Sequence, residues 1–211
     1  MYNVSIPMAL MDYVPVIFFG VTMVLLQRDL YNKMFKGAYA LFAAGTINVF
    51  LAGFLKATWK LLYAAGICNF VALEEMFLPV NSMGLLMVGL SLIGMLCWKR
   101  KDALMLSAAP AVFSGSFVFI MMMVVGLGGM CAVMSILAAR MKKKGAIILF
   151  VLSFVAAMGM GYMSSQDSTQ AWVNWIEQSI NCVSQFCLMC GTLILHKAGL
   201  ADLNTAKEAK A

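Results

Sequence analysis

Apolar runs of about twenty residues recur along the whole of this chain, and most are followed by a cluster of lysine or arginine. A helix of that length spans the roughly 30 Å of hydrocarbon in a bilayer. The pattern predicts an all-α, polytopic membrane bundle. Composition agrees: 63% of the 211 residues are hydrophobic and 11% charged, against about 45–50% and 25% in soluble domains. No soluble domain fits. Residues 1–200 read as one transmembrane domain and 201–211 as a short, polar cytoplasmic tail. The first residues lack the basic stretch of a cleaved leader, so the first span is expected to be retained.

Seven spans emerge: 6–27, 35–58, 76–97, 103–124, 126–140, 145–163 and 171–195. The glycine-rich stretch 124–129 reads as a tight turn between the fourth and fifth. One unbroken helix over 104–139 would be about 54 Å long, too long to cross without extreme tilt. Charge then sets the orientation. Arg28, Lys33 and Lys36 follow span one, and Lys99, Arg100 and Lys101 follow span three. Arg140, Lys142, Lys143 and Lys144 follow span five, and Lys197, Lys207 and Lys210 follow span seven. Of the 15 basic residues, 13 therefore share one side, leaving Lys56 and Lys60 on the other. The positive-inside rule puts the N-terminus outside and the C-terminus in the cytoplasm of a multi-pass cell-membrane protein. The net charge of +6 reflects these loops. No motif for nucleic acid accompanies it, and the expected partners are the lipid bilayer and a small polar solute or ion, with a homo-oligomer left open. The amphiphilic segment 59–75 is expected to lie over the outer mouth.

Spans two and six open alike. Lys36-Gly37-Ala38-Tyr39-Ala40-Leu41-Phe42 matches Lys144-Gly145-Ala146-Ile147-Ile148-Leu149-Phe150, and Gly20 meets Gly128 at the same offset. Spans three and seven each pair an acid with an asparagine, Glu75 with Asn81 and Glu177 with Asn181, at a different offset. Such matches fit two parallel three-helix units joined by span four, a 3+1+3 repeat. A few matches in low-complexity apolar sequence also arise by chance. Seven spans with the N-terminus outside and the C-terminus inside are similar to the layout of SWEET-type sugar transporters and KDEL receptors. The likeness is one of topology alone: the Pro-Gln signature of that group is missing, and spans five to seven contain no proline.

The seventh span carries the strongest functional signal. Asn174, Glu177, Gln178, Asn181, Ser184 and Gln185, continued by Thr192, fall within an arc of about 120° on a helix. Ile176, Ile180, Val183 and Phe186 take the other side. A spanning helix with one polar face lines a cavity or the polar interior of a bundle. In the predicted topology Glu177 lies about 9 Å from the outer end and Asn181 about 15 Å. Asp12, Lys56 and Glu75 fall in the same outer portion, Asn48 near the middle, and Asn81 two turns into span three. Charges at such depths pair, protonate or contact water, so Lys56 is expected to pair with Asp12, Glu75 or Glu177. The amides offer both donors and acceptors, which suits a neutral or zwitterionic solute better than a bare ion. The competing reading is that these groups are hydrogen-bonded glue between helices.

Two other constellations are weaker. Cys187-Leu188-Met189-Cys190 has C-x-x-C spacing, but no basic neighbour at that depth would activate a thiol. The 20 methionines read as packing filler rather than soft-metal ligands. A single histidine, His196, argues against metal and haem centres and against a Ser-His triad. No catalytic residue, metal or cofactor is assigned, and the chain is not expected to be an enzyme. The expectation is a transporter or channel for a small polar solute, proton-coupled through Glu177. The alternative is a seven-helix sensor or accessory subunit whose polar stripe binds a ligand or partner helix.

Overall fold

The computed structural model describes residues 5–97, 116–163 and 171–203. These form helices α1 (Ile6–Met11), α2 (Tyr13–Leu30), α3 (Lys36–Ala64), α4 (Ala72–Glu75), α5 (Phe77–Cys97), α6 (Ser116–Arg140), α7 (Lys144–Met163) and α8 (Ala171–Lys197), with a short 3-10 turn at Leu200–Asp202. Five stretches are long and apolar enough to cross a membrane: Ile6–Leu30, Lys36–Ala64, Ala72–Cys97, Phe117–Arg140 and Trp172–Lys197. Lys144–Met160 is a shorter apolar helix. The outer surface is apolar too, with Ile17, Val24, Ile148, Val155 and Phe186 all exposed. These features are compatible with a membrane-embedded protein.

Helix ends follow local chemistry. Pro15 has no N–H to offer the Met11 carbonyl, and the first span breaks into α1 and α2 at Asp12. At the end of α3, Gly66 takes a left-handed φ of 69°, while the N–H groups of Gly66 and Ile67 bond the Tyr63 and Leu62 carbonyls. Lys142 takes the equivalent left-handed place after α6, at φ 57°.

The expected turn over 124–129 is absent: α6 runs unbroken from Ser116 to Arg140. Its glycines are spent on close packing instead. A Cβ on Gly126 would stand 2.3 Å from the Leu85 backbone, and one on Gly89 would stand 2.5 Å from the Gly126 carbonyl. Small residues that let backbones approach are a main source of helix association where lipid removes the hydrophobic drive. Among the described residues there are thus six long helices rather than seven. Most of the expected fourth span, 103–115, lies outside the described residues, as does Pro110.

The six long helices form a ring, α2–α3–α5–α6–α7–α8 and back to α2. Neighbours alternate in direction with two exceptions. Asn81 meets Met123 and Gly89 meets Gly126 and Gly129, so α5 and α6 run parallel. Phe18 meets Phe186 and Asp29 meets His196, so α2 and α8 also run parallel. Cys97 and Ser116 consequently lie at opposite ends of the ring, joined by residues 98–115. The dense core sits toward the His196 end, where Leu26, Phe42, Met134, Phe150, Leu188 and Leu195 are fully buried.

Candidate functional site

The other end, marked by Asp12, is looser and charged. Asp12 sits at the break between α1 and α2 and is only 5% exposed. Its Oδ2 lies 2.6 Å from the Lys60 ammonium, while Oδ1 has no hydrogen-bond partner. The Gln178 side chain lies beside it. Of the three acids expected beside Lys56, Asp12 is held instead by Lys60, one helical turn further along α3. Lys56 instead lies 4.1 Å from the centroid of the Phe77 ring, a cation–π contact. Glu177, Asp12 and Glu74 surround it electrostatically. Glu177 is half-buried on α8, and Glu75 is exposed at the end of α4. Trp59 donates to Asn69 at 3.1 Å and so pins the segment after α3 over this end.

Below the charges lies a cavity of about 120 Å³, with room for several waters. All six long helices line it. Its polar groups are three amides: Asn81 from α5, and Asn181 and Gln185 from α8. The rest is apolar, chiefly Phe19, Phe50, Phe77, Leu127 and Met158. The Asn81 amide reaches toward Met123 Sδ at 3.8 Å, a weak acceptor. The Gln185 Oε1 is buried without a partner.

The polar stripe of α8 therefore divides by depth. Asn181 and Gln185 face the cavity. Gln178 is buried against Asp12, its own Oε1 unpaired. Ser184 donates to the Ser153 carbonyl at 2.8 Å and binds α7 rather than the cavity. Thr192 is fully buried with no partner for its hydroxyl. Asn174 is half-buried near the start of α8. Asn48 stands apart from the cavity, its amide 4.0 Å from Met87 Sδ.

The lining residues also fall into pairs. Pro15 and Met123, Phe19 and Leu127, Val49 and Ala157, and Phe50 and Met158 are each separated by the offset that relates Lys36 to Lys144. Asn81 and Asn181, and Leu85 and Gln185, share a second offset. The same two offsets carry the Gly45–Gly84 crossing of α3 on α5 onto the Ser153–Ser184 crossing of α7 on α8.

The His196 end is closed. The imidazole Nδ1 of His196 lies 2.8 Å from an Asp29 carboxylate oxygen, and Asp29 is 3% exposed. Gln27 donates to Thr46 at 2.6 Å between α2 and α3. Beyond α8, Gly199 turns the chain at φ 84° and Leu200 enters the core. The Lys33 ammonium donates to the Leu203 carbonyl. Burial pushes the Lys33 ammonium below its usual pKa, against the opposing pull of Asp202 and Asp29. Sequence reasoning named neither Asp29 nor Lys60 as a site residue. The available signal for Asp29 was a carboxylate in the last turn of an apolar helix, set among basic residues.

The six cysteines are all free thiols. Among the described residues no group of three or more histidine, cysteine or carboxylate side chains is placed to hold a metal ion. Compared with protein-family models, curated proteins and solved structures, the chain matches none.

Proposed function

We propose that this chain is a seven-crossing membrane protein that carries a small polar solute through the cavity between two parallel three-helix units. One unit is α2, α3 and α5, and the other is α6, α7 and α8. The parallel run of α5 and α6 supports this topology, because it puts Cys97 and Ser116 at opposite ends of the ring. The paired offsets of the cavity lining support the repeat. The second offset differs from the first because both α7 and its connection to α8 are shorter than α3 and its connection to α5. Basic residues support an orientation with the His196 end in the cytoplasm. Arg28, Lys33, Lys36, Arg140, Lys142, Lys143, Lys144 and Lys197 gather there, against Lys56 and Lys60 at the Asp12 end.

One observation carries the transport reading. Three amides from α5 and α8 converge on a cavity at the centre of an otherwise apolar ring. Polar groups inside a membrane are costly unless they have work to do. Glu177, held near Lys56 above the cavity, is the group we assign to proton coupling.

Reconstituted vesicles test the reading. Asn81→Ala combined with Asn181→Ala should lower solute flux at least tenfold while membrane insertion stays intact. Glu177→Gln should flatten the pH dependence of flux. Undiminished flux in the double variant would remove the cavity from the transport path.

A further inference from the structure

The two halves of the ring differ where the solute would sit, and the difference identifies what the cavity selects. Along α5 the cavity-facing residues read Phe77, Asn81 and Leu85. At the matching places on α8 stand Glu177, Asn181 and Gln185. The asparagine is kept in both halves. The leucine is not: one half fills its place with a buried apolar side chain, 6% exposed, and the other with an amide. Packing at this depth is thus satisfied by leucine. A glutamine there costs free energy, because its Oε1 is buried and accepts no hydrogen bond.

We infer that Gln185 is the specificity-determining residue of the cavity, and that it selects a small uncharged solute carrying a hydroxyl or amide hydrogen-bond donor. Gln185 lines the cavity and its Oε1 is buried without a partner, so a turn of the amide toward the cavity would give that acceptor a solute donor. Asn81 and Asn181 bring amide N–H groups to the same space, and Asn81 spends its own on a weak thioether contact that a solute oxygen would readily replace. No charged side chain lines the cavity among the described residues, so an ion would shed its hydration without compensation. The rings of Phe19, Phe50 and Phe77 accept the apolar body of the solute. A volume of about 120 Å³, with room for several waters, suits a small solute. This inference rests on the transport reading above.

The test uses the full chain in liposomes and follows vesicle volume by stopped-flow light scattering. The probes are urea and glycerol, which are uncharged and carry donors, and glycine betaine, which is zwitterionic and carries none. Wild-type protein should speed urea or glycerol at least tenfold over protein-free vesicles and leave betaine at background. Gln185→Leu, which reproduces Leu85, should return that flux to within twofold of background. Its thermal midpoint should equal or exceed that of the wild type, which separates lost recognition from lost folding. Gln185→Asn, which retains an acceptor, should recover part of the flux. Wild-type flux that survives Gln185→Leu, or that admits betaine as readily as urea, overturns the inference and spares the transport reading. Wild-type vesicles that match protein-free ones for all three probes overturn both.

Discussion

The same six helices meet in two different ways at their two ends. Toward His196 they interlock through Leu26, Phe42, Phe150, Leu188 and Leu195, none of which reaches solvent. Asp29 pairs there with His196 and Gln27 with Thr46, while the Thr192 hydroxyl is buried without a partner. Toward Asp12 they stand around a cavity and a charge cluster, and Asp12, Gln178 and Gln185 each keep a buried oxygen without a partner. Unpaired buried acceptors are the kind of strain that a fold concentrates where it binds something. The closed end supplies the stability that lets the other end carry them.

The contrast is easiest to break in the core. Phe150→Ala removes a fully buried ring that packs against Gly191, and should cost about 3–5 kcal/mol. Phe50→Ala removes a ring that is 37% exposed at the cavity edge, and should cost about 1 kcal/mol. Thermal unfolding of both variants in the same bilayer checks the ratio, and equal losses would erase the distinction between the ends. An intermediate effect is expected from Lys60→Met, which leaves the buried Asp12 carboxyl unsatisfied and should cost about 1–3 kcal/mol. Adding Asp12→Asn to that variant should recover most of the loss, as read by a double-mutant cycle. Purely additive losses would mean that the two groups do not interact.

The smallest effect belongs to Lys33 at the closed end. Its pKa lies below the ordinary 10.5 in the folded state because burial disfavours the ammonium. The unfolded chain therefore binds more protons on this side chain, and folding gains from rising pH between the lowered value and 10.5. The thermal midpoint of the wild type should rise relative to Lys33→Met as pH climbs through that window. A constant difference would show that Lys33 titrates normally.

Much of this architecture is legible in the apolar runs and their basic punctuation, because lipid leaves a chain few alternatives to helices. The cavity-facing pair Asn81 and Asn181 is legible too, since amides in an apolar span stand out. What escapes is whatever depends on partners far apart in sequence. The glycines at 126, 128 and 129 read as a turn because glycine serves both turns and close helix crossings, and only the presence of Gly89 opposite decides between them. Lys56 and Lys60 lie one turn apart on α3, and sequence does not say which of them meets Asp12. Asp29 reads as an ordinary terminal charge until His196 is brought beside it from the far end of the chain.

The ring closes through α2 and α8, its first and last long helices. During synthesis α2 is made long before its neighbour exists. Until α8 arrives, Phe18 lacks its aromatic contact, Asp12 lacks Gln178 beside it, and Asp29 has no imidazole. Everything from Leu30 to Met163 is made in that interval, with the seam facing lipid or whatever holds nascent helices there. A chain stopped before residue 171 is an open crescent with a buried-type carboxylate on its edge.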